Sequence, residues 1–223
     1  YNRKGKMCFM HLKDQAGRMQ VAAADKIIGE ENFEVVKLFD IGDWVGVEGT
    51  MFTTQKGEYS VKATRMEMLS KAVRPLPIPK EKRNDDGTVT VFDEFKDIET
   101  RYRQRYIDLT LNDSVRDVFF KRTKIIQSIR EYLMGNKYLE VETPVLQPIY
   151  GGANARPFTT HHNAASLELY MRVSNELYLK RCIVGGFERV FEFSKDFRNE
   201  GMDKTHNPEF TLLEFYESYA DYN

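Results

Sequence analysis

Long apolar runs are what this sequence most plainly lacks: nothing in its 223 residues approaches the ~20 consecutive apolar residues that a membrane-spanning helix needs. The opening residues, YNRKGKMCFMHLKD, carry no apolar core of the kind a signal peptide has. Cysteine is scarce. Cys8 and Cys182 stand far apart and match no metal or redox spacing, so they read as two reduced thiols. Charge of one sign is missing too, with 33 basic and 34 acidic residues for a net −1. No global basic excess therefore announces a nucleic acid, although a local basic face is enough to bind one. With 41% hydrophobic and 30% charged residues, the composition is that of an ordinary globular protein. The length allows one domain or two.

The chain starts inside one strand-like pattern and stops just after another, so it reads as a segment of a longer protein. MCFMHLK (7–13) and MQVAA (19–23) are short strands around the turn-like DQAGR. DWVGVEGTMFTT and EYSVKATRMEML form a second pair around QKG, with one helical stretch from about Asp25 to Phe39 in between. This pattern predicts a small β-barrel over residues 1–74. VRPLPIPKEKRNDDGT combines three prolines, a charge run and an Asp-Asp-Gly turn, which marks 75–100 as a linker.

Residues 101–223 follow a different pattern. NDSVRDVFFKRTKIIQSIREYLMG sets Val115, Val118, Phe119, Ile126, Ile129 and Leu133 on one helical face. Asn112, Asp113 or Ser114 can cap its start, and Gly135 supplies a stop. KYLEVETPVL is a strand that Pro144 interrupts. After the polar GGANARPFTTHHN come a strand, LELYMRV, and a helix, NELYLKRCIVGG, opened by a Ser or Asn cap with Glu176 in its first turn. RVFEFSKDFR and EFTLLEFYESYA are two further strands joined by NEGMDKTHNP. This part is expected to be α+β with an antiparallel sheet.

The run FEFSKDFRNEGMDKTHNPEFTLLEFY most needs a chemical reason. Strand alternation puts Arg198 with Asp196 and Ser194 on one face, and Phe191, Phe193 and Phe197 mostly on the other. On the second strand Phe210, Leu212, Glu214 and Tyr216 share a face. A suitable antiparallel register gathers Arg198, Phe210, Glu214 and Tyr216 on one surface. A guanidinium, an aromatic ring, a carboxylate and a phenol suit an anionic, aromatic and aminated ligand, as a nucleotide and an amino acid together are. Taken singly, the same residues have plainer readings. FRNEG is a charged hairpin, His206 a hydrogen-bonded loop residue, Glu176 a first-turn acid favoured by the helix dipole, and Phe9 a core residue.

FRNEG followed by HNPEFTLLEFY resembles motif 2 of the class II aminoacyl-tRNA synthetases, and specifically of the lysyl-tRNA synthetases. KIIQSIREYLMGNKYLEVETPVL is similar to motif 1, the dimer-forming helix and strand of that class. GGANARPFTTHHN and LYMRVSNELYLKR resemble the segments lining the lysyl enzymes' amino-acid pocket. RYRQRYIDL resembles their domain junction, and the N-terminal part their anticodon-binding OB-fold. The likeness covers essentially the whole chain, and HNPEF with the paired glutamates separates it from the aspartyl and asparaginyl enzymes.

The resemblance implies an OB-fold followed by part of a class II catalytic domain. It implies a cytoplasmic homodimer, not bound to membranes, that uses ATP and Mg2+ to activate L-lysine as lysyl-adenylate and loads tRNA(Lys). Arg198 would be the catalytic group, bridging the lysine carboxylate and the α-phosphate. Glu200 and Asn207 would contact the adenosine end or its loop, His206 would lie near the terminal phosphates, and Phe210 would stack on adenine. In the lysine pocket, Glu176 and Tyr216 would face the side-chain end, Glu214 the α-amine, and Gly152 would allow close backbone approach. In the barrel, Phe9, Gln20 and Glu58 would read the anticodon uridines, Phe9 by stacking. No metal ligand is expected within the segment.

Some positions depart from the family pattern. Thr205 stands where bacterial members usually carry an arginine, and Thr205-His206 resembles the eukaryotic cytosolic type, with Lys204 a possible substitute at the phosphate. Ser174-Asn175 replaces the usual Ala-Pro ahead of the pocket glutamate. A Gly-rich motif 3 ending in arginine is not found, nor are the family's acidic Mg2+ ligands or a first barrel strand, so the segment alone is expected not to catalyse. The alternative reading is a non-catalytic RNA-binding paralogue, against which stands the intact set Arg198, Glu200, His206, Phe210 and Glu214.

Overall fold

Polar and apolar residues alternate through much of residues 7–24, and adjacent alternating runs pair into a ribbon that is buried on one side. The computed structural model describes residues 2–83, 89–92 and 95–221. They form two compact units, Tyr1–Val115 and Arg116–Asn223. No helix among the described residues is long and apolar enough to cross a membrane.

In the first unit, β1 (Asn2–Lys4), β2 (Met7–Lys13) and β3 (Arg18–Ala24) precede two short helices, α1 (Asp25–Ile28) and α2 (Glu30–Val36). The long strands β4 (Trp44–Thr53) and β5 (Tyr59–Ser70) follow. The five strands pair in the order β1-β2-β3-β5-β4, with β3 and β5 parallel and the other neighbours antiparallel. Every strand expected from the sequence is present, and β1 supplies a first strand that was not expected. Among the described residues β1 and β4 remain the edges of the sheet, so its ladder is open where a barrel was expected.

Period two sends Cys8, Met10, Val21 and Ala23 inward, and a register shift in β5 puts Ala63 and Met66 on the same side, in a core completed by Ile28, Phe33, Val36 and Phe39. The helical stretch expected to be continuous is broken at Gly29, whose φ of 85° is a left-handed geometry that suits glycine. Gly49 sits at a register shift in β4. A Cβ there would lie 2.2 Å from the Lys62 carbonyl oxygen.

The proline-rich stretch expected to be a linker holds an antiparallel pair, β6 (Lys80–Arg83) and β7 (Val89–Phe92). Its Asp85-Asp86-Gly87 turn lies outside the described residues. α3 (Ile98–Arg103) and α4 (Arg105–Leu111) give RYRQRYIDL a structural reason. Asp108 is fully buried, accepts from Arg101 Nε at 2.9 Å and Asn112 Nδ2 at 2.6 Å, and pairs with Arg105. Burial pushes its carboxyl up, but Asn112, Arg101 and Arg105 outweigh that and hold it below the usual range.

α5 (Asp113–Gly135) leads into the second unit, followed by β8 (Leu139–Glu140), β9 (Leu146–Gln147), β10 (Thr159–His162), β11 (Leu167–Met171), α6 (Glu176–Val184), β12 (Arg189–Phe197) and β13 (Glu209–Glu217). KYLEVETPVL gives two short strands rather than one. β8 pairs parallel to β12, and β12 pairs antiparallel to β13. β10, β11 and β9 make a second three-stranded sheet. The expected single antiparallel sheet is thus two sheets, one of them mixed. Of the apolar stripe on α5, Leu133 is buried, whereas Val118 and Phe119 are 61% and 50% exposed. The left-handed residue after α5 is Lys137, at φ 67°, and not Gly135.

β12 divides its side chains cleanly. Phe191 and Phe193 meet edge to face at 6.2 Å, and the Arg130 guanidinium of α5 lies 5.1 Å from the Phe193 ring. Glu192, Ser194 and Asp196 alternate with them on the other face. A test of the first unit is Gly49→Ala. The clash with backbone should cost at least ~2 kcal/mol, read as about a 30-fold loss of hydrogen-exchange protection across β4 and β5. Gly46→Ala, whose Cβ would first meet the Glu67 side chain at 3.4 Å, should change it less than ~3-fold.

Candidate active site and nucleic-acid face

The second unit's site rests on the register of β12 and β13, which aligns Asp196 with Phe210, Glu192 with Glu214 and Val190 with Tyr216. Just past the strand, Arg198 N–H donates to Pro208 O at 2.8 Å. Its guanidinium lies 5.0 Å from the Phe210 ring centroid. The surface expected from alternation is therefore formed, with Arg198 and Phe210 at one end and Glu214 and Tyr216 at the other.

A wall stands over this floor. The chain leaving β11 crosses β12, where Phe197 N–H donates to Arg172 O and Arg172 N–H to Val145 O, both at 2.9 Å. Arg172 is 3% exposed. It pairs with Glu192 through Nη1 at 2.8 Å and with Asp196 through Nε at 3.2 Å. Glu192 also accepts from Thr143 Oγ1 at 2.6 Å and from Asn175 Nδ2 at 3.2 Å. Asn175 is thereby turned away from the capping role expected at α6. Ser174 Oγ accepts the Glu176 N–H at 3.1 Å instead.

Asp196 is left without the donors that Glu192 collects. Arg172 Nε is aimed at Lys195 O, 2.9 Å away. Neither Asp196 oxygen nor Ser194 Oγ finds a partner at hydrogen-bond geometry among the described residues. Burial pushes the Asp196 carboxyl above its ordinary range, opposed by nearby Ser194 and Arg172 and assisted by Glu214 and Glu192.

The wall brings the expected pocket residues together. Ser174 Oγ donates to Glu214 Oε1 at 3.0 Å, and Tyr216 OH donates to Glu214 Oε2 at 3.2 Å. Burial, then the charges of Glu214 and Glu176, push the Tyr216 hydroxyl well above its ordinary range, so it stays a donor. Glu176 pairs with Lys180 at 2.6 Å, and the Lys180 ammonium lies 5.8 Å from the Tyr216 ring. Gly152 has φ 86°, and a Cβ on it would lie 2.9 Å from Ser174 Oγ and 3.0 Å from Glu176 Cβ. The backbone can approach the pocket there because the residue is glycine.

Glu200, His206 and Asn207 lie in the β12–β13 connection, where Glu200 and His206 are exposed. His206 is engaged locally: its Nδ1 is 2.8 Å from Asp203 Oδ2. Asp203 Oδ1 also accepts the backbone N–H groups of Thr205 and His206 at 2.7 and 2.8 Å. These bonds hold the Asp203 carboxyl far below the usual range. Thr205 is thus part of the loop's own scaffold. Among the described residues no group of three or more His, Cys, Asp or Glu is placed to hold a metal ion.

In the first unit, β2 turns Cys8 and Met10 into the core and leaves Phe9 and His11 on the outer face. His11 is opposite Gln20, and Gln20 is opposite Ser60. Gln20 Nε2 donates to Glu58 Oε2 at 2.6 Å and Ser60 Oγ to Gln20 Oε1 at 2.8 Å. Phe9, Gln20 and Glu58 therefore belong to a surface, not to the core. Arg172, Ser174, Lys180, Asp203 and His11 were not expected at a site. For Ser174 the signal was visible, since it departs from the family pattern beside the pocket glutamate.

Comparison with known proteins gives this arrangement a family. Residues 97–223 match the class II tRNA synthetases (D, K and N), and residues 2–69 match the OB-fold nucleic acid binding domain. The chain belongs to the class II tRNA synthetases of the D, K and N group. Among its curated relatives are the lysine–tRNA ligases of two strains of Porphyromonas gingivalis, each 56% identical over 98% of this chain. The chain spans 38% of the length of these relatives. Both are bacterial, which gives no support to the eukaryotic cytosolic likeness read from Thr205-His206.

Two substitutions test the buried cluster. Arg172→Met should destabilise the protein by about 3–5 kcal/mol, because it strands two buried carboxylates, and a urea midpoint measures this. Asp196 binds its proton more tightly folded than unfolded, so stability falls as pH rises from the unfolded value of ~3.9 through the raised folded one. Asp196→Asn should therefore melt above wild type at pH 7 and converge with it toward pH 4. A gap that does not change with pH would reject this account.

Proposed function

We propose that the protein is a lysine–tRNA ligase, which activates L-lysine with ATP to lysyl-adenylate and transfers the lysyl group to tRNA(Lys). The observation that carries this is the pocket of Glu214, Tyr216, Glu176 and Gly152 at the opposite end of the floor from Arg198. It offers two carboxylates to a substrate with two ammonium groups. Family membership and the lysine–tRNA ligase relatives support the same reading.

The chemistry asks for positioning and charge stabilisation and needs no enzyme nucleophile. A lysine carboxylate oxygen attacks the α-phosphorus, the bond to the β-phosphate oxygen breaks, and pyrophosphate leaves. Arg198 holds the carboxylate and an α-phosphate oxygen together, as a planar guanidinium suits, and stabilises the negative charge on the phosphorus oxygens. Phe210 offers its ring to the adenine, while Glu200, His206 and Asn207 serve the nucleotide from the loop. Glu176 and Tyr216 face the ε-ammonium and Glu214 the α-amine, with Glu214 nearer than Tyr216 to the Arg198 end of β13. A ligand without the terminal ammonium cannot replace the protein's own donors at the pocket carboxylate and forgoes that charge-assisted contact. Mg2+ bound with the triphosphate would offset its charge.

The proposed organisation is an anticodon-binding domain over 1–74, a connection over 75–100 and a catalytic part over 101–223. The uncovered apolar stripe of α5, with Val118 and Phe119 exposed, supports a homodimer through that helix. The cytoplasm is the proposed place of work. Lysine-dependent ATP–pyrophosphate exchange by the full-length protein tests the reading. Arg198→Ala should lower it at least ~100-fold, the scale of one lost transition-state donor. Near-normal exchange by that variant would remove Arg198 from its role. Binding of tRNA by the wild type without any exchange would mark a non-catalytic RNA-binding relative instead.

A further inference from the structure

We infer that His11 is a positioning residue of the RNA-reading face: it holds the Glu58 carboxylate in place to accept a hydrogen bond from the imino N–H of a uracil in single-stranded RNA. The inference rests on the reading of Phe9, Gln20 and Glu58 as base-contacting groups.

β2 sets the geometry of this face. Cys8 and Met10 lie in the core and Leu12 packs against it, so Phe9 and His11 project from the opposite face. Register sets His11 directly across from Gln20. Glu58 is drawn to both of them. Its Oε1 is 3.2 Å from His11 Nε2, and its Oε2 is 2.6 Å from Gln20 Nε2. An ionised carboxylate only accepts, so the His11 nitrogen facing it carries the proton. Gln20 is itself fixed by the buried Ser60 hydroxyl at 2.8 Å, and Glu58 N–H donates to Thr54 Oγ1 at 3.0 Å. Each carboxylate oxygen thus has a protein donor, and the group keeps lone pairs for a ligand. The side chains of His11 and Glu58 are 36% and 48% exposed, so a base can reach them.

This arrangement discriminates by chemistry. Uracil presents an N3–H donor on its Watson–Crick edge, whereas cytosine presents an acceptor at N3. A carboxylate held opposite N3 accepts from uracil and repels cytosine there, whereas one free to shift can accept from the neighbouring N4 amino group of cytosine. Phe9, two residues along the same face, offers a ring for stacking, which every base can use. Stacking alone does not select a base, so selectivity depends on how well Glu58 is held. Without His11, Oε1 loses its clamp and the carboxylate can turn away from the base.

The test uses the full-length protein and two hairpin RNAs that differ only in a loop triplet, UUU or CCC. His11→Ala should weaken binding of the UUU hairpin by ~10-fold, the scale of about 1.4 kcal/mol from a lost hydrogen bond to a charged group. Binding of the CCC hairpin should change less than ~2-fold. His11→Gln, which restores an N–H at similar reach, should recover most of the UUU affinity, with an unchanged melting midpoint throughout. Equal losses for both hairpins, or none for either, would overturn the role of His11 while leaving Glu58 as a reader of uracil. A wild-type protein that does not prefer UUU would overturn the base-reading assignment itself, and this inference with it.

Discussion

A single buried guanidinium organises the catalytic part of this chain. Arg172 sits between Glu192 and Asp196 with almost no exposure, where a charge without partners would be prohibitive. Once the pairs form, the segment after β11 has little freedom to lie anywhere but across β12. Its carbonyls and side chains then take up positions that matter for the site. Val173 O accepts Arg198 Nε at 3.4 Å, a long bond that still gives the guanidinium a direction. Two residues from Arg172, Ser174 meets Glu214. Pocket wall and sheet floor are thereby aligned through the ion pairs of Arg172 together with its backbone bonds and the Ser174–Glu214 contact, and neither could shift without disturbing the other.

The cluster carries two carboxylates for one guanidinium, and the structure treats them unequally. Glu192 takes donors from Arg172, Thr143 and Asn175, whereas Asp196 takes none at good geometry. Removing the Asp196 charge costs the fold little, because the Arg172–Glu192 pair and the backbone bonds of Arg172 still hold the wall. Burial in a low-dielectric interior pushes the Asp196 carboxyl above its ordinary range.

The same period of two builds both units, and it is the part of the fold most legible in sequence. Alternation located β2, β3, β4, β5, β12 and β13 with near-correct bounds, and it separated Phe191 and Phe193 from the site face. What alternation cannot supply is register, because the pairing of strands distant in sequence depends on tertiary packing. Arg172 was illegible for that reason: in LYMRV it reads as one more polar position, and only the passage across β12 makes it a buried ion. His11 was hidden likewise, since Gln20 reaches it from β3 and Glu58 from the turn between β4 and β5. Local breaks were missed where one residue overrides a pattern. Gly29 splits a continuous helical run, and the two short strands of KYLEVETPVL pair with different sheets.

The pocket as folded has no idle carboxylate, and this bears on how it would choose a ligand. Glu214 already accepts from Ser174 and Tyr216, and Glu176 from Lys180. Half-buried acids left bare would destabilise the folded chain, so the protein supplies its own donors. On the proposed reading, an arriving ammonium joins or displaces these partners and meets no vacant charge. The Lys180 ammonium is chemically the same group as the end of a lysine side chain, so exchange at Glu176 is nearly even in electrostatic energy. Net affinity then comes from what the local partners cannot match: simultaneous reach to Arg198 at one end and to Glu176 and Tyr216 at the other. Only a ligand of the right length, with a carboxylate and two amines, makes all of these contacts together. Selectivity of this kind is a difference between partners, and it is set by spacing along β13 more than by the strength of any one ion pair.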